Sequence, residues 1–150
     1  MSSYKTLVIA SDLEGGYEQI LSKAADLMKE YQSRVIIVNV GHFPVPTYVG
    51  TYGSGLYVPK EFYFDYNEIQ ARLVPELEGL AKEYGLPADG VRVEFGHPVD
   101  GILNVAEKKA ADLIVIGSHG KHGIGLLLGS TANGVLHRAK CDVLAVRIHE

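Results

Sequence analysis

The chain has 150 residues, the length of one ordinary domain, and we expect a single domain over residues 1–150. Its formal net charge of −4 and the absence of a basic patch argue against nucleic-acid binding, and its apolar runs are far shorter than the roughly 20 residues of a membrane-spanning helix. The single cysteine, Cys141, cannot form an internal disulfide, and the N-terminus shows no secretion signal, so we expect a structural thiol in a cytoplasmic protein.

The first part of the chain has two strand patterns with a helix pattern between them. Residues 6–10 and 35–40 are almost entirely apolar, which is typical of strands buried on both faces of a parallel sheet. From residue 17 to about residue 31, apolar side chains recur every three or four positions and predict an amphipathic helix. Asp12 lies in the turn that joins the first strand to this helix.

Residues 41–59 differ from the rest of the chain because they are rich in glycine, proline and tyrosine and contain no charged residue. This composition predicts a long loop, which is uncommon in a compact domain unless it has a function. Two interpretations stay open. The loop is a lid or interface patch built from its aromatic residues, or it is a tolerated insertion.

The helix pattern from Lys60 to Tyr84 contains a proline, Pro75. Proline removes a backbone hydrogen bond and crowds the preceding turn, so we expect either a kink or two abutting helices. Gly85 and Pro87 predict the end of the segment, as a glycine cap followed by a proline.

The rest of the chain continues the alternation of strands and helices. The patterns predict strands at 91–95, near a sheet edge, at 112–117 and at 141–148, and helices at about 99–110 and 130–139. Alternation throughout predicts an α/β fold: an open, parallel five-stranded sheet with helices on both faces. For five strands the common spatial order is 3-2-1-4-5.

This order places a candidate site at the carboxyl ends of the first and fourth strands. Ligands of open α/β sheets bind where the strand order reverses. The residues there are Ala10 and Asp12 on one side and Gly117 to Gly120 on the other. The Asp12 carboxylate would accept hydrogen bonds from ribose hydroxyls.

The glycines and hydroxyls after the fourth strand suit a bound phosphate. Gly117 and Gly120 would let a phosphate approach the backbone, and Gly129, Ser130 and Thr131 begin a helix whose N–H groups would receive it. The same residues also serve as ordinary turn and cap residues. Spacing alone leaves both interpretations open.

Other motifs are absent or weak. Gly120-Lys121 is followed by His122 rather than Ser or Thr, which excludes a Walker A loop, and no GxGxxG fingerprint or G-x-S-x-G elbow is present. His119 and His122 have no nearby carboxylate or cysteine that would complete a metal site. We therefore expect neither a resident metal nor catalytic residues.

Five blocks of sequence closely resemble the universal stress protein family. They are TLVIASD, VIIVNV, FGHP, ADLIVIGSHG and LLLGSTANGVLHRAKCDVLAVR, and together with their spacing they cover nearly the whole chain. The resemblance implies the Rossmann-like, or flavodoxin-like, sheet order 3-2-1-4-5 and a homodimer that pairs fifth strands. That pairing would also cover the apolar edge from Val143 to Ile148.

Nucleotide-binding members of the family carry G-x2-G-x9-G-[ST] and hold ATP or AMP with it. The resemblance implies that Gly117, Gly120, Gly129 and Ser130 contact phosphate and ribose, with or without Mg²⁺. It further implies that Asp12 matches the family's aspartate and that Val40 and Ile116 line the adenine pocket.

One departure from the motif affects the functional prediction. Eight residues, not nine, separate Gly120 from Gly129. This interval resembles the branch typified by universal stress protein A, whose members do not bind ATP but usually lack the glycines as well, whereas this chain keeps them. The resemblance implies a non-catalytic, cytoplasmic stress-response homodimer that binds an adenine nucleotide. Two alternatives stay open: a dimer that binds no nucleotide and acts through protein contacts, and a slow ATPase or phosphotransferase at the same site.

Overall fold

The computed structural model describes residues 3–11, 16–41, 66–118 and 129–148. They contain one parallel five-stranded sheet in the order β3-β2-β1-β4-β5, which confirms the predicted order. The strands are β1 (Thr6–Ala10), β2 (Arg34–Gly41), β3 (Val91–Phe95), β4 (Leu113–Gly117) and β5 (Asp142–Val146). As predicted, β3 lies at an edge of the sheet.

Helices cover both faces of the sheet, as the sequence predicts. They are α1 (Tyr17–Tyr31), α2 (Tyr66–Glu83), α3 (Pro98–Lys108) and α4 (Ser130–Arg138), and a 3₁₀ turn, Ala88–Gly90, precedes β3. Buried side chains of α1 and α2 share one core cluster, and those of α3 and α4 share the other. None of the helices in the described ranges is long and apolar enough to cross a membrane.

The alternation of side chains along β1 connects the two cores. Leu7 and Ile9 belong to the cluster under α1 and α2, whereas Val8 and Ala10 belong to the cluster under α3 and α4. Successive residues of a strand point to opposite faces, so a central strand with a helical layer on each side is apolar at every position. This is the physical origin of the unbroken apolar run in β1.

Pro75 lies inside α2, which continues through it as one helix from Tyr66 to Glu83. The alternative of two abutting helices is therefore wrong. Gly85 ends this segment in a left-handed conformation with φ of +75°, and the N–H of Leu86 donates to the carbonyl of Ala81 at 2.8 Å. This is the predicted glycine cap. The first part of the predicted helix, residues 60–65, and nearly all of the predicted loop 41–59 lie outside the described residues.

Candidate functional site

The candidate site lies at the carboxyl edge of the sheet, between β1 and β4. These strands are adjacent, with Ile9 beside Val115, but the chain runs from β1 outward to β2 and from β4 outward to β5. The strand order therefore reverses between β1 and β4, and in open α/β sheets ligands bind at the carboxyl edge beside such a reversal. The predicted reversal point is thus present in the structure.

Three predicted site residues share one face at this edge. Ala10 of β1 and Ile116 of β4 are buried, and Val40 of β2 is partly buried, all in the cluster under α3 and α4. Helix α3 comes very close to Val40, since a Cβ atom on Gly101 would lie 2.9 Å from Val40 Cγ2. Three neighbouring strands thus form a continuous apolar surface on this face, near the carboxyl ends of the strands.

A buried asparagine holds the turn that follows β1. Asn39 Nδ2 donates to the carbonyl oxygen of Ser11 at 2.9 Å, and the Ser11 N–H donates to the carbonyl of Val38 at 3.2 Å. Both Asn39 and Ser11 are buried. Sequence reasoning missed this contact, although a lone polar residue in VIIVNV was the available signal. Asp12, the next residue after Ser11, lies outside the described residues.

Ser118 joins three parts of the chain directly after β4. Its N–H donates to the carbonyl of Val146 at 2.8 Å, its carbonyl accepts from the N–H of Gly129 at 2.7 Å, and its Oγ accepts from the N–H of Ile148 at 3.2 Å. The two ends of the segment 119–128 are therefore held together at the sheet edge. Gly120 belongs to that segment and lies outside the described residues.

Helix α4 begins beside this junction. Gly129 is its N-cap residue, and no side-chain cap hydrogen bond is present there, so Ser130 is the first helical residue rather than the cap. Of the three residues Gly129, Ser130 and Thr131, Gly129 therefore occupies the cap position. Ser130 is exposed and Thr131 is partly buried. The first N–H groups of a helix have no partner within the helix, and at this terminus they suit an anion.

Gly117 has a packing reason to be glycine. A Cβ atom there would lie 3.0 Å from Ile20 Cδ1 and 3.4 Å from Ile148 Cδ1. Both side chains belong to the cluster under α1 and α2, which is the face opposite to Ala10, Val40 and Ile116. Close packing against these two isoleucines thus favours glycine at 117, independently of any phosphate.

Ile148 also packs against Gly16, the N-cap residue of α1. Gly16 has φ of +74°, and a Cβ atom there would lie 2.5 Å from Ile148 Cγ2. Ile148, which follows β5, is therefore in close contact with the residues that flank the candidate site on both sides, Gly16 and Gly117. No local pattern in the sequence indicates this arrangement, because the contacts join distant parts of the chain.

Alanine at Gly16 is expected to destabilise the fold more than alanine at Gly85. Both glycines have nearly the same φ, +74° and +75°, but a Cβ at Gly85 meets nothing within 4 Å. Gly85→Ala should cost about 1 kcal/mol of unfolding free energy from backbone strain, and Gly16→Ala about 1–3 kcal/mol more from overlap with Ile148. Chemical denaturation measures both. Equal losses of unfolding free energy in the two variants would contradict the close contact between Gly16 and Ile148. In an Ile148→Ala background, Gly16→Ala should cost less unfolding free energy than it does in the wild type.

No group of three or more His, Cys, Asp and Glu side chains that could hold a metal occurs among the residues that the structure describes. His119 and His122, the histidines considered from the sequence, lie outside those residues. Hydrogen bonds and apolar surface therefore dominate the described part of the site.

A parallel five-stranded sheet in this order, with helices on both faces, defines an open α/β protein with a Rossmann-like arrangement of strands. The model of the universal stress protein family matches residues 3–147, and the chain belongs to this family. The match covers nearly the full length, which agrees with the resemblance of the five sequence blocks.

Curated relatives and solved structures agree with this assignment. The chain is 35% identical over 150 residues to universal stress protein A homolog 2 of Coxiella burnetii, with 99% of this chain and 98% of the relative covered. It is 33% identical to universal stress protein YxiE of Bacillus subtilis, with 96% and 99% covered. A universal stress protein crystallised in complex with cAMP has a TM-score of 0.66 and 26% identity, with 97% and 98% covered. The protein MJ0577 has a TM-score of 0.73 at 24% identity, with 99% of each chain covered, which supports the fold.

Proposed function

We propose that this protein is a non-catalytic stress-response protein of the cytoplasm that binds an adenine nucleotide, ATP or AMP, between β1 and β4. The main support for the proposal is the position of the N-terminus of α4. It has no side-chain cap at Gly129 and is tied by hydrogen bond to the end of β4, at the point where the strand order reverses. A helix N-terminus in this position binds phosphate through backbone N–H groups and the helix dipole.

Each part of the nucleotide has residues of suitable chemistry. The apolar surface of Ala10, Val40 and Ile116 would pack against the adenine ring, because these side chains share one face at the strand ends. The N–H groups and hydroxyls of Ser130 and Thr131 would bind phosphate. In the proposal, Asp12 binds the ribose.

Three glycines complete the proposed phosphate contacts. Gly117 ends β4, and Gly129 precedes α4. Gly120 is the third, carried over from the family motif. The two glycines that the structure describes flank the hydrogen-bonded junction at Ser118, and their lack of a side chain would let an anion approach the backbone.

The similar structure with bound cAMP supports an adenine nucleotide as the ligand class, since its fold covers nearly the whole of this chain. The eight-residue interval between Gly120 and Gly129 favours a nucleotide affinity different from that of proteins with nine residues, because a shorter interval would shift the backbone N–H groups relative to the phosphate. Whether Mg²⁺ contributes is decided by comparing binding with and without the ion.

The nucleotide content of the purified protein tests the proposal. The protein is purified without added nucleotide and denatured, and the supernatant is analysed by chromatography for ATP, ADP and AMP. Calorimetric titration of the emptied protein with ATP and AMP, with and without Mg²⁺, follows. We expect co-purified adenine nucleotide or micromolar binding, and no release of phosphate from ATP. A nucleotide-free protein that shows no binding at millimolar ATP would refute the proposal and favour a protein that acts through protein contacts.

A homodimer through β5 is the second part of the proposal. Strand β5 pairs with β4 along one edge, its other edge has no strand partner among the described residues, and Ala145 is exposed on it. An apolar edge strand is a template for pairing with a second copy of the chain. The free backbone edge therefore supports association through this strand.

Introducing a charge at Ala145 is expected to weaken the dimer. Ala145→Lys would bring two lysines together across a two-fold axis, so sedimentation velocity should show a shift from dimer to monomer. Ser22→Lys, on the exposed surface of α1, is the matched control and should leave the dimer intact. A wild-type protein that sediments as a monomer would contradict this part of the proposal alone.

A further inference from the structure

A groove of about 540 Å³ lies between α3 and the end of α4, away from the nucleotide edge. Its floor reaches Ala111 and Cys141, which lead into the amino-terminal ends of β4 and β5. The proposed nucleotide site is at the carboxyl ends of the strands. The volume falls within the range of about 300–1,000 Å³ that is typical of small-molecule sites.

The two walls of the groove carry opposite charges. Asp100, Asn104 and Glu107 follow one face of α3 at spacings of four and three, and Arg138 and Lys140 form the opposite wall. Arg138 Nη1 lies 2.8 Å from Asp100 Oδ1, and Lys140 Nζ lies 3.4 Å from Glu107 Oε1. Each end of the groove thus presents one cation beside one anion.

These ion pairs are poorly suited to a purely structural role. The four side chains are between 54% and 83% exposed, and exposed pairs contribute little to stability because water screens them. Breaking either ion pair therefore costs little free energy. A ligand carboxylate would pair with the cation at one end of the groove, and a ligand ammonium group would pair with the anion at the other end. The two side chains released in this way are largely exposed and would be solvated by water.

The floor of the groove is apolar and includes the thiol of Cys141. Leu103, Ala106 and Ala110 line it with Cys141, so small side chains leave space above the sheet. Burial, followed by the carboxylates of Asp142 and Asp112, raises the pKa of the Cys141 thiol. The thiol therefore remains protonated at neutral pH and adds to the apolar surface.

The distance between the two charged ends limits the length of the ligand. Asp100 and Glu107 are seven residues apart on α3, which corresponds to about 10 Å along the helix. An extended chain of three residues spans about 10 Å. The geometry points to a short peptide of about three residues with free termini and small apolar side chains as the ligand of this groove.

Each part of such a peptide has a counterpart in the groove. Its carboxylate would pair with Arg138, whose planar guanidinium binds a carboxylate through two parallel hydrogen bonds. Its ammonium group would pair with Glu107 at the other end of the groove. The Asn104 amide, midway between Asp100 and Glu107 on α3, offers both a donor and an acceptor to the peptide backbone.

Alkylation of Cys141 provides a direct test, because this is the only cysteine in the chain. The rate of modification by N-ethylmaleimide is measured by mass spectrometry with and without trialanine, at mildly alkaline pH so that the thiol reacts. A ligand at about ten times its Kd should slow the reaction about tenfold. Amide chemical shifts of residues 100–107 should move in the same titration. An unchanged rate together with unchanged shifts overturns the inference.

Length and charge controls decide whether the protection is specific. Free alanine is too short to reach both ends, and acetyl-trialanine-amide lacks both charges, so neither should protect Cys141. Arg138→Gln should weaken trialanine binding about tenfold, while Arg92→Gln, an exposed arginine on β3, should leave it unchanged. Equal protection by the blocked peptide, or full affinity in Arg138→Gln, overturns the inference.

Discussion

Replacing Gly90 by alanine is expected to lower the unfolding free energy by about 3 kcal/mol, the upper part of the range for overpacking. A Cβ atom at this position would lie 2.2 Å from the carbonyl oxygen of Val35 and 3.4 Å from the Cα of Ile36. Both are backbone atoms of a buried strand, β2, and cannot rotate away as a side chain would. For a chain of this length the melting temperature should fall by roughly 6–12 °C, measured by circular dichroism.

Gly79→Ala is the matched control. Gly79 lies within α2, is exposed, and has nothing within 4 Å of an added Cβ. Alanine has the higher helix propensity, so this variant should gain about 0.5–1 kcal/mol. The two glycine-to-alanine changes should therefore shift the melting temperature in opposite directions. A Gly90→Ala protein as stable as the wild type would contradict the close approach of the 3₁₀ turn to β2.

Ser130→Glu is expected to reduce ATP affinity by about tenfold or more while leaving the fold at least as stable. A carboxylate in the first turn of α4 interacts favourably with the helix dipole, by about 0.3–1 kcal/mol. The same negative charge would compete with phosphate for the first N–H groups and would repel it. Ser130 is exposed and makes no cap bond, so its replacement removes no packing. Calorimetric titration with ATP and a thermal melt give the two measurements.

Ser130→Gln separates charge from size. Glutamine has nearly the shape of glutamate without the charge, so it should retain most of the ATP affinity. If both variants bind ATP as tightly as the wild type, the phosphate does not bind at the N-terminus of α4. If both lose binding equally, the effect is steric and the charge argument is wrong.

Most of the fold could be predicted from the sequence because its signals are local. The apolar runs of β1 and β4, the three-to-four spacing in α1 and the glycine cap at Gly85 each depend on a few consecutive residues. Strand order could be predicted because the alternation of strands and helices restricts a five-stranded parallel sheet to few arrangements. The predicted boundaries of β1, β3 and α1 agree with the structure. At β5 they differ by one and two residues, since the predicted range 141–148 compares with Asp142–Val146.

The details of the site could be predicted only in part because they depend on contacts between distant residues. Gly16 and Ile148 are separated by 132 positions, yet they pack against each other. The same holds for Asn39 and Ser11, whose hydrogen bond depends on the pairing of β1 with β2. Pro75 illustrates a different limit. The proline suggested a break, but the apolar face of α2, with Leu77 and Ala81 buried beyond it, continues without interruption.

The hydrogen bond between Ser118 and Gly129 fixes the two ends of the segment between them, so the length of this segment can change with little effect on the rest of the fold. The carbonyl oxygen of Ser118 lies 2.7 Å from the amide nitrogen of Gly129. Ser118 is also hydrogen-bonded to Val146 of β5, and Gly129 is the N-cap residue of α4. By loop-closure entropy alone, doubling the length of a connection costs only about 0.6 kcal/mol, so gain or loss of one residue between these two anchors should change stability very little. A connection of another length could therefore join the same two anchors while the sheet and its helices keep their arrangement.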